Sequence, residues 1–225
     1  MKPSESQPFR RQIESERAVI MLPLNVVMAA HIRGPLEQAN LAAALERLRV
    51  RHPLLAVRVE LNDDGTAFFT TEGVPAIPVH VELKASEEQW ISRVEQEIRT
   101  PFKMETGPLF RCLLIQSKEG SKLILCGHHA VCDGMSLVYL LRDVLEQLTK
   151  PSETEPLLPP TIRFDTVTTP PAINPVARAL IRLMNHVWRK KKLRFDFGLM
   201  AQMHQRYWQR NSTAIRHNIL NYSVR

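Results

Sequence analysis

Two dense apolar runs, residues 109–116 and 122–126, constrain the fold more than any other feature of this sequence. The short polar link Lys118-Glu119-Gly120 joins them, and such a link is typical of a turn between paired strands. Strands that lack polar alternation are covered on both faces, because neither face suits water. The two runs therefore predict a hairpin of buried strands with other elements packed over it.

Further strands and helices alternate around this hairpin. Strands are predicted over residues 25–33, 54–61, 67–71 and 79–83, with Asp63-Asp64-Gly65 as the turn between the second and the third. Pro35 is expected to open one helix, and Ser86, with Gln89 three residues later, to open another as a capping box. A third helix is expected to end near Thr149.

The spacing of apolar residues gives each of these helices one apolar face. The faces carry Leu41, Leu45 and Leu48 in the first helix, Trp90, Val94 and Ile98 in the second, and Val138, Leu141, Leu145 and Leu148 in the third. The predicted fold class is therefore α/β, a two-layer sandwich in which helices pack on one mixed sheet.

Composition divides the chain into three stretches. Residues 1–150 carry the predicted sheet and helices, and residues 151–175 hold seven of the 16 prolines, which predicts a linker or an extended crossing segment. Residues 176–225 contain eleven of the 30 Lys and Arg but one of the 23 Asp and Glu, so the net charge of +7 originates there. Helices are predicted over residues 176–194 and 199–210, and a strand over residues 217–224.

The basic run at residues 189–194 has several interpretations. The first is a solvated helix end, where cations favour the negative end of the helix dipole. A site for the phosphates of coenzyme A or of phosphopantetheine is an alternative, as are a membrane surface and nucleic acid. No nucleic-acid motif accompanies the run, so nucleic acid is not among the expected partners.

Cys112, Cys126 and Cys132 are the three cysteines, and an odd, sparse set inside apolar segments predicts reduced thiols in a cytoplasmic protein. The polar N-terminus has no apolar signal core, and no apolar run reaches the length of a membrane span. Cys126 and Cys132 bracket two histidines, which makes a metal site an alternative. No second Cys/His pair accompanies them, so no metal is expected.

Residues 128–134 read His-His-Ala-Val-Cys-Asp-Gly and lie between a predicted buried strand and a predicted helix. Neighbouring side chains at a strand end point in opposite directions, so one histidine can face an open channel while the other packs inside. A neutral histidine is a natural general base near pH 7. Asp133 could pair with an arginine or orient a histidine, and Gly134 would permit a positive φ or a close backbone approach. The alternative is a buried polar turn without chemistry.

This segment resembles the His-His-x-x-x-Asp-Gly signature of the chloramphenicol acetyltransferase-like superfamily. That superfamily includes condensation domains of nonribosomal peptide synthetases, alcohol acyltransferases and polyketide-associated acyltransferases. The surroundings are also similar to the family's motifs, namely Arg-His-Pro-Leu-Leu at residues 51–55, Pro-Phe at 101–102 and Gly-Pro-Leu-Phe-Arg at 107–111. The ordered motifs cover about 150 residues, and the implied fold is the N-terminal half of the superfamily fold.

The resemblance implies a role for each residue of the segment. His129 would be the general base, His128 and Gly134 would shape the loop, and Asp133 would be held in an ion pair. Arg58 and Arg111 are the candidate partners of Asp133, and an arginine outside this chain is another. The implied activity is transfer of an acyl group from a coenzyme A or carrier-protein thioester to an alcohol or amine. No permanent cofactor is implied, since acyl-CoA or acyl-phosphopantetheine is a co-substrate.

Members of the superfamily resemble two similar halves with a tunnel between them. Asp196-Phe197-Gly198 imitates the start of the later Asp-Phe-Gly-Trp-Gly motif, but it lies only about 60 residues past His129 and is interpreted as coincidence. We therefore expect a fragment or subunit that pairs with a C-terminal half, a second chain or a copy of itself. A truncated binding module without activity is the second hypothesis, and a metal protein is the third.

Overall fold

The computed structural model describes residues 9–13, 17–20, 22, 24–63, 66–152, 174–177, 179–180, 182–183 and 197–210. Its strands are β1 (Arg10–Gln12), β2 (Asn25–Arg33), β3 (Arg58–Leu61), β4 (Ala67–Thr70), β5 (Val79–Leu83), β6 (Phe110–Gln116) and β7 (Gly120–His128). Four of them form the main sheet, in the order β2-β7-β6-β5. The predicted hairpin, β6 and β7, occupies its two central positions. Only β5 and β6 pair in parallel, so the sheet is mixed, as predicted.

The helices are α1 (Arg17–Ile20), α2 (Gln38–Arg51), α3 (Gln89–Arg99), α4 (Gly134–Thr149) and α5 (Phe197–Arg210), with a 3₁₀ turn at Pro53–Ala56. α2 and α4 cover one face of the main sheet. There Leu45 and Leu140 belong to the same buried cluster as Phe110 and Leu125 of the central strands. The α/β class with helices packed on a mixed sheet is confirmed.

The second face of the main sheet is covered by α3. Trp90 and Val94 of this helix pack against a smaller buried cluster that contains Leu113 and Ile124. Alternate residues of the two central strands thus point to opposite helical layers, which explains why the hairpin is apolar without a polar period.

The strands are divided between two sheets, whereas the sequence predicted one. β3 and β4 form the expected antiparallel hairpin, but β4 also pairs with β1, in the order β1-β4-β3. This small sheet has its own apolar cluster, in which Val59 and Phe69 lie with Leu109, Ala130 and Met200. Ala130 belongs to the two-histidine segment, so this segment packs against the small sheet.

Two expectations about where elements begin were wrong. The predicted strand over residues 54–61 begins only at Arg58, because Pro53 starts a 3₁₀ turn that occupies the residues before it. Ser86 does not cap α3, which begins at Gln89 after Glu88. Instead, the side chain of Gln89 reaches back to accept a hydrogen bond from the backbone of Ala85 at 2.7 Å.

The buried face of α4 lies one residue earlier than the sequence indicated. Leu137, Leu140 and Val144 are buried, whereas Val138 and Leu145 are exposed. The apolar run in this helix contains two sets of residues at helical spacing, and sequence spacing alone does not distinguish them.

The later part of the chain is described only in part. α5 confirms the helix predicted over residues 199–210, and the described residues between 175 and 183 are helical. Most of the proline-rich stretch, the basic run at residues 189–194 and the strand predicted over residues 217–224 lie outside the described residues. None of the described helices has both the length and the hydropathy of a membrane span.

Gly127 provides a test of how tightly the end of β7 is packed. A Cβ atom at this position would overlap Sγ of Cys132 and approach the Phe110 ring to 3.2 Å. We expect Gly127→Ala to lower the free energy of unfolding by about 1–3 kcal/mol, as overpacking does. Urea titrations would measure this loss.

Two further variants serve as controls for this prediction. Adding Cys132→Ala should restore part of the stability, because it removes the overlapping sulfur. Gly134→Ala should leave stability nearly unchanged, since its Cβ would meet open space. A Gly127→Ala protein as stable as the unmodified chain would contradict the described contact.

Candidate functional site

The two histidines lie where β7 ends, and the backbone there is held from both sides. β7 pairs with β2 over nine residues, which puts His128 opposite Asn25. The amide of His128 donates to the carbonyl of Leu109 at 3.0 Å, and the amide of His129 donates to the carbonyl of Leu24 at 2.8 Å. The position of the segment is therefore set by main-chain hydrogen bonds to two neighbouring elements.

The side chain of His128 is buried, and both of its nitrogens are engaged. Its Nδ1 accepts a hydrogen bond from the amide of Ala130 at 3.1 Å. Its Nε2 lies 3.2 Å from the carbonyl of Leu22 and therefore carries the proton that it donates. Burial lowers the pKa of His128 to about 4, so the ring is neutral near pH 7. An imidazole with both nitrogens occupied is a structural part of the turn.

His129 has the opposite environment. Its side chain is exposed, and among the described residues no group is hydrogen-bonded to its ring. The structure thus separates the pair as the alternation rule predicted, with one histidine packed inside and its neighbour facing outwards. Only His129 has ring nitrogens open to a reactant.

Asp133 forms the N-cap of α4. One oxygen of its carboxylate accepts hydrogen bonds from both the amide and the hydroxyl of Ser136, each at 2.7 Å. These two bonds, with a smaller contribution from nearby His129, hold the pKa of Asp133 below its usual range. Ser136 therefore donates to the cap residue and is not itself the cap.

Neither candidate arginine is hydrogen-bonded or salt-bridged to Asp133 in the described structure. Arg58 donates to Glu60 at 3.1 Å and to the carbonyl of Glu72 at 2.8 Å. Arg111 forms a buried ion pair with Glu97. Both arginines are therefore already engaged by other acceptors, Arg58 near its own hairpin and Arg111 at the end of α3.

The helical acid that does bind arginine is Asp143, almost three helical turns after the N-cap residue Asp133. It receives Arg142 at 2.8 Å, His52 at 2.9 Å and Arg51 at 3.3 Å. The Arg-His pair at the end of α2 is therefore used to join α2 to α4.

Gly134 has neither a positive φ nor a close neighbour, contrary to expectation. It is the first residue of α4. Near the site, a close approach occurs instead at Gly127, and a positive φ of +61° occurs at Gly107. Gly107 lies against the backbone of Val57, where a side chain would overlap the carbonyl oxygen.

The buried ion pair between Arg111 and Glu97 was not predicted from the sequence, and it supports the site through contacts with neighbouring residues. Arg111 also donates to the carbonyl of Thr100 at 2.8 Å, and Asn25 donates to the same carbonyl at 2.7 Å. The guanidinium lies 4.1 Å from the ring centre of Phe102. Phe102 in turn meets the His128 ring edge to face, at 6.3 Å between centroids. One feature of the sequence could have indicated this network. Arg111 lies inside an apolar run, and a buried charge needs a partner.

The cysteines near the histidines do not resemble metal ligands. Burial raises the pKa values of Cys126 and Cys132 to about 12, whereas a metal ligand must be a thiolate. Their Sγ atoms face the carbonyls of Glu97 and His128, at 3.8 and 3.7 Å. In the part of the chain that the structure describes, no group of three potential ligands could hold a metal ion.

Comparison with known proteins identifies the family. A family model described as "Condensation domain" matches residues 24–166, which is more than half of the chain. Tyrocidine synthase 3 of Brevibacillus parabrevis is 31% identical over 141 residues, which are 59% of this chain and 2% of that protein. The chain belongs to the condensation-domain family.

Solved structures agree on the fold. The condensation domain of the monacolin K polyketide synthase MokA aligns with a TM-score of 0.55 at 13% identity, over 63% of this chain and 35% of that one. The four-domain nonribosomal peptide synthetase AB3403 aligns with a TM-score of 0.52 at 23% identity, over 68% of this chain and 13% of that one. The chain thus spans a small part of the length of the proteins it matches.

The cap at Asp133 yields a prediction for α4. Asp133→Ala should lower the free energy of unfolding by about 1 kcal/mol, the usual cost of losing an N-cap. Asp133→Asn should lose less, because asparagine caps comparably well. Since the folded-state pKa of Asp133 is lowered, its carboxylate stabilises the fold above about pH 4 and this stability fades as the pH falls further. Urea titrations at pH 7 and pH 3 would measure both effects; equal losses for Ala and Asn would contradict the cap.

The buried state of His128 predicts a second pH dependence. Its pKa is about 4 in the folded chain, and an unfolded histidine titrates near about 6.5. The unfolded chain therefore binds more protons between these values, so stability is complete above about pH 6.5 and is lost as the pH falls towards 4. The urea midpoint should decline less steeply over this window in His128→Gln than in the unmodified chain.

The matched control for this pH series is His80→Gln, because His80 is exposed on the edge strand β5. This variant should keep the slope of the unmodified chain. A slope that is the same in all three proteins would mean that His128 titrates normally and is not locked in the turn.

Proposed function

We propose that this chain supplies the general-base side of an acyl-transfer site, with His129 as the base. The proposal rests on the different environments of the two histidine rings. His128 is buried with both nitrogens hydrogen-bonded, while His129 is held by its amide and has an exposed ring. The backbone is thus fixed and the reactive ring is left open, which is what proton abstraction at a defined point requires.

In the proposed reaction, a hydroxyl or amine attacks the carbonyl carbon of a thioester. Nε2 or Nδ1 of neutral His129 takes the proton of the attacking group as the new C–O or C–N bond forms. The C–S bond then breaks, and the proton passes to the departing thiolate. A positioned base of this kind contributes roughly 10²–10⁴ in rate. No covalent acyl-enzyme is involved.

We infer that the donor is a thioester on the phosphopantetheine of a carrier protein. Support comes from the relatives, since tyrocidine synthase 3 and the AB3403 protein, a four-domain nonribosomal peptide synthetase, are large synthetases. Acyl-CoA carries the same thioester and is the alternative donor. The product is an amide or an ester, in keeping with a role in secondary-metabolite biosynthesis, and the three buried free thiols are compatible with the cytoplasm.

The second wall of the site is proposed to come from further polypeptide, either a C-terminal half, another chain or a second copy. The surface beside His129 supports this, because Met135 is 58% exposed and Tyr139 is 53% exposed on the first turns of α4. Adjacent exposed apolar side chains are typical of surfaces that another protein covers.

The exposed ring of His129 also favours a second candidate, a binding module without turnover. A base in an enzyme is commonly oriented by a neighbouring acceptor, and no such group is hydrogen-bonded to His129 in the described residues. Such a module would bind an acyl-carrier protein but leave its thioester intact.

Replacing the base tests the catalytic proposal. With an acyl-carrier protein as donor and a mixture of amines and alcohols as acceptors, His129→Ala should lower kcat at least 10²-fold. Its circular dichroism should be unchanged, because the ring makes no hydrogen bond in the described structure. Ester or amide product would be measured by mass spectrometry, with acyl-CoA as a parallel donor.

His80→Ala is the control, since it removes an exposed histidine far along the chain from the turn. It should retain full activity. If His129→Ala kept most of the activity, His129 would not be the base. If the unmodified chain bound the carrier protein with no product, the binding module would be the better description.

A further inference from the structure

A cavity of about 380 Å³ lies on the side of β7 to which His128 points. One wall is the segment after α3 that contains Phe102 and Met104, and the opposite wall is α5, with Phe197, Met200 and His204. His129 is not part of its lining. α5 also lies outside the residues that the condensation-domain model matches, so the cavity is not explained by the family fold.

The size and lining of this cavity are those of a small-molecule site. Ligand cavities usually enclose roughly 300–1,000 Å³ and are mainly apolar with a few polar groups. Leu22, Phe102, Met104 and Met200 provide the apolar surface here. The volume equals that of roughly a dozen water molecules in the liquid, which suits a molecule of medium chain length.

Among the described residues that line the cavity, only His204 has a buried side-chain polar atom without a hydrogen-bond partner. Its Nε2 is buried and has no hydrogen-bond partner among the described residues. Leaving such an atom unpaired is unfavourable, and a hydrogen bond to a ligand hydroxyl or carbonyl would offset that cost. His128 is also in the wall, but both of its nitrogens are already engaged. Nε2 of His204 is therefore the buried polar contact available to a ligand, whereas Lys103, Glu105 and Gln205 of the lining are exposed.

The charges around the cavity favour an uncharged ligand. Lys103 and Glu105 are exposed residues of the lining and have opposite charges. Burial lowers the pKa of His204, so its imidazole is neutral near pH 7. A carboxylate or ammonium group held against Nε2 of His204 would lose hydration, and the neutral imidazole would not compensate its charge.

We propose that this cavity binds a neutral amphiphile of medium chain length. The apolar tail packs against Phe102, Met104 and Met200, and the hydroxyl or carbonyl group hydrogen-bonds Nε2 of His204. Because Phe102 meets the His128 ring, an occupant stabilises the turn that carries His129 without touching His129. The site is separate from the proposed acyl-transfer centre, and either proposal can fail without the other.

The test uses the full chain with two probes of equal length, 1-octanol and octanoate, in isothermal titration calorimetry. We expect saturable binding of one 1-octanol per chain, at least tenfold tighter than octanoate. His204→Phe keeps a ring of similar size but removes the hydrogen bond, and it should weaken 1-octanol binding about three- to tenfold. Met200→Trp should fill the cavity and abolish binding.

Leu83→Trp is the control, because it introduces the same ring at an exposed apolar residue on β5, outside the cavity. It should bind 1-octanol as the unmodified chain does. Amide chemical shifts should move at Phe102, Met200 and His204 on titration, which locates the probe even if Met200→Trp fails to fold. The proposal would be overturned by unsaturable binding of 1-octanol, by equal affinity for octanoate, or by undiminished binding of 1-octanol to His204→Phe.

Discussion

The pairing of β7 with β2 is the constraint on which the rest of the site depends. Nine consecutive residue pairs fix the register, and a shift of one residue would turn every side chain of β7 to the other face. In the observed register, Leu125 faces α2 and α4 while Ile124 faces α3. The same alternation, continued to the end of the strand, buries His128 and leaves its neighbour exposed.

The site also depends on the buried ion pair of Arg111 and Glu97. Taking two charges out of water is costly, and here the cost is offset by further hydrogen bonds to the carbonyl groups at the end of α3. Asn25 joins the same carbonyl groups from β2. The pair therefore ties the end of α3 to the strands on either side of it, and it holds the ring of Phe102 against His128.

Elements with a strong local signal in the sequence were predicted, whereas features that depend on other parts of the fold were not. The central hairpin, α2, β5 and α5 were predicted correctly because each has a strong local signal, such as an apolar run or a helical spacing. The start of α3, the buried face of α4 and the partner of Asp133 were missed. The start of α3 is accompanied by a local hydrogen bond between Gln89 and Ala85 that the sequence did not indicate. The buried face of α4 and the partners of the two arginines depend on which elements pack together. Arg111 is an example, because its partner lies 14 residues away on a helix that packs across the sheet.

The sequence by itself determined the family and the α/β class, and it predicted that one histidine of the pair would be buried and the other exposed. Ordered motifs and strand alternation involve residues that are neighbours in the chain, so no tertiary contact was needed to predict them. Only the tertiary structure decided that Asp133 caps a helix while Asp143 takes the arginines. It also decided that α5 closes a cavity behind His128. Burial and pairing depend on which elements meet in space, and that depends on the free energy of the whole arrangement rather than on any one segment.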